Sequence, residues 1–164
     1  MVVNQPLPNA PEGRPQRRFL QLRGIDDPQL ASTVHEVTIG EGGSWFSEAG
    51  VREGKEPGQT LVECVVGEGL ARQMARDDTQ LEAAGKKTLG VGDTFSLSER
   101  TWVIAGIMKS EGSLFDSELW AKRSLVASMF GKNTYTTVVL RADSAEQAKT
   151  LRNYLNKGYT KAKL

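Results

Sequence analysis

The first regular pattern along the chain is RFLQLRGI, residues 18–25, where Phe19, Leu20 and Leu22 stand among polar neighbours and predict a strand ending at Gly24. DDPQLAS has room for one helical turn, with Pro28 early enough that its missing N–H costs nothing. HEVTIG, starting at His35, predicts a second short strand stopped by GEGG at 40–43, and SWFSEAG and VREGKEPGQ read as loops. TLVECVVG shows no alternation, and its continuous apolar run predicts a strand buried on both faces. EGLARQMARD changes to a helical period, with Leu70 and Met74 four apart on one face. DTQLEAAGKKT is a polar connection that can hold another turn of helix.

DTFSLSERTWVIAGIM carries the strongest hairpin signal: Phe95 and Leu97 alternate with polar residues, ER turns the chain, and Trp102 to Met108 return as an apolar strand. In SEGSLFDSELWAKRSLVASMFG, Asp116 is placed to cap a helix, with Phe115 and Trp120 as a hydrophobic staple. Leu119, Val126, Met129 and Phe130 fit one helical face, which Lys122 and Arg123 interrupt. TYTTVVLRA predicts a last strand. DSAEQAKTLRNYLN predicts an amphipathic helix, with Ser144 and Gln147 as a capping box and Ala148, Leu151 and Leu155 inward. Strands and helices mix without a regular βαβ alternation, so the predicted class is α+β: a β-rich lobe with short helices, then a strand and helix. The expected organisation is a proline-rich arm at 1–17, a lobe at 18–133, and the strand-helix with a basic tail at 134–164.

Composition narrows the functions available. The 164 residues are 38% hydrophobic with 17 further glycines, enough for a buried core. The 21 lysines and arginines against 20 acidic residues leave a net charge of +1, which gives no long-range attraction for nucleic acid. The single cysteine, Cys64, lies inside an apolar run and reads as a buried, inert thiol. One histidine, His35, is too few for the common zinc sites, and no Gly-x-Ser-x-Gly elbow accompanies it. No apolar run is long enough to span a membrane.

Gly67-Glu68-Gly69 stands between a strand and a helix, as a nucleotide-binding turn would. A dinucleotide fingerprint needs a third glycine where Arg72 stands, and Glu68 would repel a pyrophosphate. The two glycines therefore read as a structural turn, and GVGD at 90–93 likewise, since a strand follows it. Asp116 and Glu118 diverge on a helix and read as a cap and a first-turn charge; a loop metal site adding Glu111 is the alternative. KGYTKAKL reads as a solvated tail. Trp45-Phe46 and Leu114-Phe115 are large apolar pairs in polar loops, which either plug the core or serve a partner surface.

In order and spacing these segments resemble the extracytoplasmic domain of MacB/FtsX-type ABC-transporter permeases. LQLRGID is similar to the strand that opens the family's inserted lobe. VTIGEGGSWFS is similar to its Gly-Arg-hydrophobic-Phe segment, with Gly43 and Phe46 matching and Ser44 replacing the arginine. VECVVGEGLARQM resembles the following strand-Gly-helix, where the glycine is structural. LGVGDTFSLSERTWVIAGIMKSEGSLFDSELWA is the nearest match, and TTVVLRADSAEQAKTL resembles the return to a membrane-proximal lobe. The likeness covers roughly residues 18–156.

The resemblance implies a non-enzymatic module without catalytic residues, cofactor or metal, held outside the inner membrane between transmembrane helices that this chain lacks. It implies a fragment of a longer protein, with Met1 added. It further implies a cytoplasmic ATPase subunit as partner, a dimeric permease, and a periplasmic adaptor or lipoprotein as cargo or contact, with no nucleic acid. Trp45, Phe46, Leu114, Phe115 and Trp120 form the expected contact set. Two rival readings stand beside it: a regulator of a cell-wall hydrolase, as in the FtsX branch, and a soluble nucleotide-dependent enzyme using Gly67 and Gly69.

Overall fold

Strand β5 (Thr60–Gly67) organises the lobe, and from Leu61 to Gly67 every residue is buried. Both of its edges are paired. On one side runs β7 (Arg100–Lys109), parallel to it; on the other lie β4 (Val51–Glu53) along Thr60 to Val62 and β8 (Glu118–Lys122) along Cys64 to Val66, both antiparallel. With its backbone paired at both edges and its side chains buried on both faces, the strand needs no polar face, which fits the largely apolar run TLVECVV. The computed structural model describes residues 1–110, 113–132 and 134–162, with side chains as far as 158.

The mixed sheet has the order β1-β2-β8-β5-β7-β3. β1 (Val2–Pro6) is antiparallel to β2 (Arg17–Ile25), which is parallel to β8. β3 (Thr38–Ile39) and β6 (Thr94–Leu97) share the far edge of β7. One face of the sheet carries the main core, in which Leu22, Cys64, Val66, Ile104, Leu119 and Ala121 meet Leu70 and Met74 of α2 (Glu68–Arg76) and Val126 of α4 (Arg123–Phe130). The other face carries a smaller core of Val37, Val65, Met108 and Trp120, beside Ala31 of α1 (Pro28–His35). The α+β class and the β-rich lobe with short helices are what the structure shows.

Several local readings need correction. Residues 2–6, expected within an extended arm, are β1, because their alternation Val3 and Gln5 inward fits the edge of β2. His35 ends helix α1 and does not begin a strand. Residues 51–53 are β4, not loop. The hairpin turns at Ser98-Glu99, one residue earlier than expected, with φ of 49° and 61°, the left-handed pair of a tight two-residue turn.

The largest correction concerns residues 114–122, which are not helical beyond a single 3-10 turn, Leu114–Ser117, followed by strand β8. Pairing with both β2 and β5 outweighs the local capping signal there, and the helix, α4, starts only at Arg123.

Cα proximity divides the chain into Met1–Thr134 and Tyr135–Leu164. In the second unit the described residues of TYTTVVLRA form no strand, and Val138, Val139 and Leu140 are exposed. These residues belong to no ladder of the sheet. Helix α5 (Ala145–Ala162) is capped as expected at Ser144, whose Oγ accepts the Gln147 N–H at 3.2 Å. In return, the Asp143 N–H donates to Gln147 Oε1 at 3.2 Å. Ala148 and Leu155, expected inward, are exposed.

Candidate functional site

The turn at Gly67 settles what sits on the N-terminus of α2. Gly69 donates its N–H to Asp116 Oδ1 at 2.9 Å, so an internal carboxylate takes the place a phosphate would occupy. A Cβ on Gly67 would meet the backbone of Phe115 and Asp116, so the glycine permits a close approach of two backbones. Asp116, expected to cap a helix beginning at its own position, thus caps α2 instead, and Arg72 lies 3.8 Å from its other oxygen. Of the ligands of the metal alternative, Asp116 is engaged by Gly69 and Glu118 by Arg23 and Trp120, while Glu111 lies outside the described residues. The Cys64 thiol is fully buried, with its pKa driven up by desolvation, and so stays protonated.

On the opposite face of the sheet the expected contact residues converge. Arg23 and Trp120 are register partners across the parallel β2–β8 ladder, so their side chains share a face; Glu118, two residues before Trp120, shares it too. Arg23 makes a two-pronged ion pair with Glu118, both N···O distances 2.8 Å, and Trp120 Nε1–H donates to Glu118 Oε2 at 2.6 Å. The guanidinium lies 5.5 Å from the ring centroids of both Phe115 and Trp120. Phe115 meets Trp120 edge to face at 5.3 Å, and Trp45 stacks on its other side at 6.0 Å.

The loop carrying Trp45 and Phe46 is pinned at both ends. Ser44 N–H bonds to Ala105 O at 2.9 Å and Ser47 N–H to Glu63 Oε2 at 2.8 Å. The first bond falls where the β5–β7 register slips by one residue, at Ala105. Gly106 beside it lets the loop lie against the strand backbone, since a Cβ there would strike Ser44 O and Ile39. The bulge thus aims Trp45 at Trp120.

Exposure sorts the five expected contacts. Trp120 is fully buried and Phe46 nearly so at 5%, Trp45 and Phe115 are half-buried, and Leu114 is 86% exposed. Trp120 and Phe46 are therefore supports rather than surface, because β8 and the pinned loop turn them inward. The sequence gives no sign of Arg23 at this site, and His35 and Glu118 stand out there only as candidates for metal or catalytic chemistry, although Glu118, two residues before Trp120, shares its face on any strand. His35 sits edge-on to Phe115 and Trp120, at 4.8 and 5.4 Å.

Burial, and then the nearby Arg23 charge, lower the His35 pKa below the ordinary 6.5, with Glu118 opposing. The folded state therefore binds this proton less readily than the unfolded chain. Stability is unaffected by His35 above pH 6.5, falls as pH drops below it, and stops falling once the lowered folded pKa is passed. Urea unfolding between pH 8 and 5 should show a steeper loss for the native chain than for His35→Gln; parallel curves would contradict this.

The sequence matches the MacB-like periplasmic core domain family over residues 3–157. This chain is a member of that family. A MacB-like periplasmic core domain is extracytoplasmic, and no helix among the described residues is long and apolar enough to cross a membrane. No curated protein matches the sequence. Among solved structures, the MacB-like domain is similar to the extracellular domain of the noncanonic ABC-type transporter YknZ from Gram-positive bacteria. Identity is 18% and the TM-score 0.55, over 91% of this chain and 64% of that one, so the two share a fold. The chain spans less than two thirds of that solved domain.

Proposed function

We propose that this domain belongs to an ABC-type transporter permease and converts movements driven by a cytoplasmic ATPase partner into work outside the membrane. One observation carries the reading beyond family membership: the exposed Leu114 and half-buried Phe115 and Trp45 are mounted on a rigid base of Trp120, Arg23 and Glu118. An apolar tip on a largely buried support, tied by a two-pronged ion pair and an indole hydrogen bond, suits a contact that must transmit force without deforming. The partner it fits is an adaptor or a lipoprotein, met by a permease working as a dimer.

Leu114→Ser combined with Phe115→Ala tests this in the assembled transporter. The expected result is loss of transport by at least about tenfold, the order of one lost hot spot, with ATP hydrolysis near normal and the domain still folded. Normal transport by a folded variant would sink the contact assignment. A variant that transports normally yet no longer activates a cell-wall hydrolase would favour the regulatory reading.

A further inference from the structure

We propose that the cleft between the start of β2 and the end of α2, walled by Arg14, Arg17, Arg18 and Arg76, is a binding site for a phosphate group, either free or carried on a small headgroup. The proposal does not rest on the transporter assignment.

Arg18 carries the inference. Between the outward Arg17 and Phe19 it points to the core side of β2 and is only 6% exposed. Its Nε and Nη1 are buried without a hydrogen-bond partner. Its nearest carboxylate, Asp77 Oδ2, lies 3.6 Å from Nη1, too far for a hydrogen bond. Asp77 is also shared with Arg14 at 3.4 Å. Desolvation lowers the Arg18 pKa, with Asp77 opposing, so the buried cation is incompletely compensated. A buried guanidinium with idle donors is costly unless something supplies acceptors.

The charge balance indicates what that is. The cleft is lined by four arginines and one aspartate, so three positive charges are unmatched in a chain whose total is +1. Asp77 already supplies one carboxylate and leaves two Arg18 nitrogens unmet. A phosphate brings up to two charges and three or more acceptor oxygens, and planar guanidinium forks match its edges. Phe19, 73% exposed at the cleft wall, offers an apolar surface to whatever carries the phosphate.

The test is amide NMR titration of the full chain in low-chloride buffer with three probes: inorganic phosphate, dihexanoyl phosphatidic acid (a phosphomonoester) below its micelle concentration, and acetate. Phosphate should give saturable shifts at residues 14–19 and 73–77, with Kd near or below about 1 mM. Acetate should bind at least about tenfold more weakly, lacking the second charge and third oxygen. Arg18→Gln should weaken phosphate by about tenfold or more. Because that position is buried, the exposed pair Arg17→Gln with Arg76→Gln serves as a second variant and should weaken binding with the fold intact.

Equal or tighter binding of phosphatidic acid supports the site and assigns it to a lipid headgroup. Phosphate binding without lipid binding supports the site and assigns it to a free or small-molecule phosphate. Absence of saturation by about 50 mM phosphate, equal affinity for acetate, or shifts unchanged in the exposed double variant would each overturn the proposal.

Discussion

Trp120→Ala is expected to cost about 3–5 kcal/mol of folding stability, the range for emptying a large aromatic site in a core. A domain of this size has only on the order of 5–15 kcal/mol in total, so much of the margin is lost. Trp120 is fully buried and is the residue on which Trp45, Phe115 and His35 all pack. Its partners cannot collapse into the void, because Trp45 is held by the bonds of Ser44 and Ser47 and Phe115 by the contact of its turn with Gly67. Trp120→Phe should recover a large part of the loss, less the bond from Nε1–H to Glu118. Urea unfolding followed by far-ultraviolet circular dichroism decides it: a midpoint little changed in the alanine variant would mean that the second core is not a structural unit.

Glu118→Ala should be nearly as damaging, about 3–5 kcal/mol, since it breaks a buried pair by deleting one side. The Glu118 side chain is 7% exposed and accepts three bonds, two from Arg23 and one from the Trp120 indole. Removing it strands an indole N–H and a guanidinium that is 26% exposed and partly within reach of water. Glu118→Gln keeps acceptor capacity for the indole and should lose less. The double change Arg23→Met with Glu118→Leu removes both charges and should be more stable than Glu118→Ala alone. If the double variant were the worst of the three, the ion pair would be contributing net stability rather than only avoiding a stranded charge.

Elements whose own residues decide their state are legible in the amino-acid order alone. The largely apolar TLVECVV fits a strand buried on both faces, and Leu70 and Met74, four apart, share a face on a helix. Pro28 marks the start of α1 because its ring suits the first helical turn, and the aromatic and β-branched run from Trp102 becomes β7. The family is legible too, because it resides in the order of such segments, and the match over residues 3–157 agrees with it. The aromatics in polar loops stand out as a set, and four of the five do meet, with Leu114 beside them at the tip.

The chain's own pattern therefore carries the class, the family, most of the elements and the residues worth watching. Tertiary structure alone decided which of two local preferences prevailed and which way each side chain faced. FDSELWAK carries a helix cap and a staple, yet two neighbouring strands offer its second half a set of backbone bonds, and those outweigh a single cap. TYTTVVLRA carries a strand signal of its own, yet its described residues form no strand. Arg23 became the partner of Glu118, and Asp116 the anion on α2, through register and through an approach that only Gly67 allows. These are pairings between residues 95 and 47 positions apart. Local pattern reports what a segment can do; which surface it meets is a property of the whole sheet.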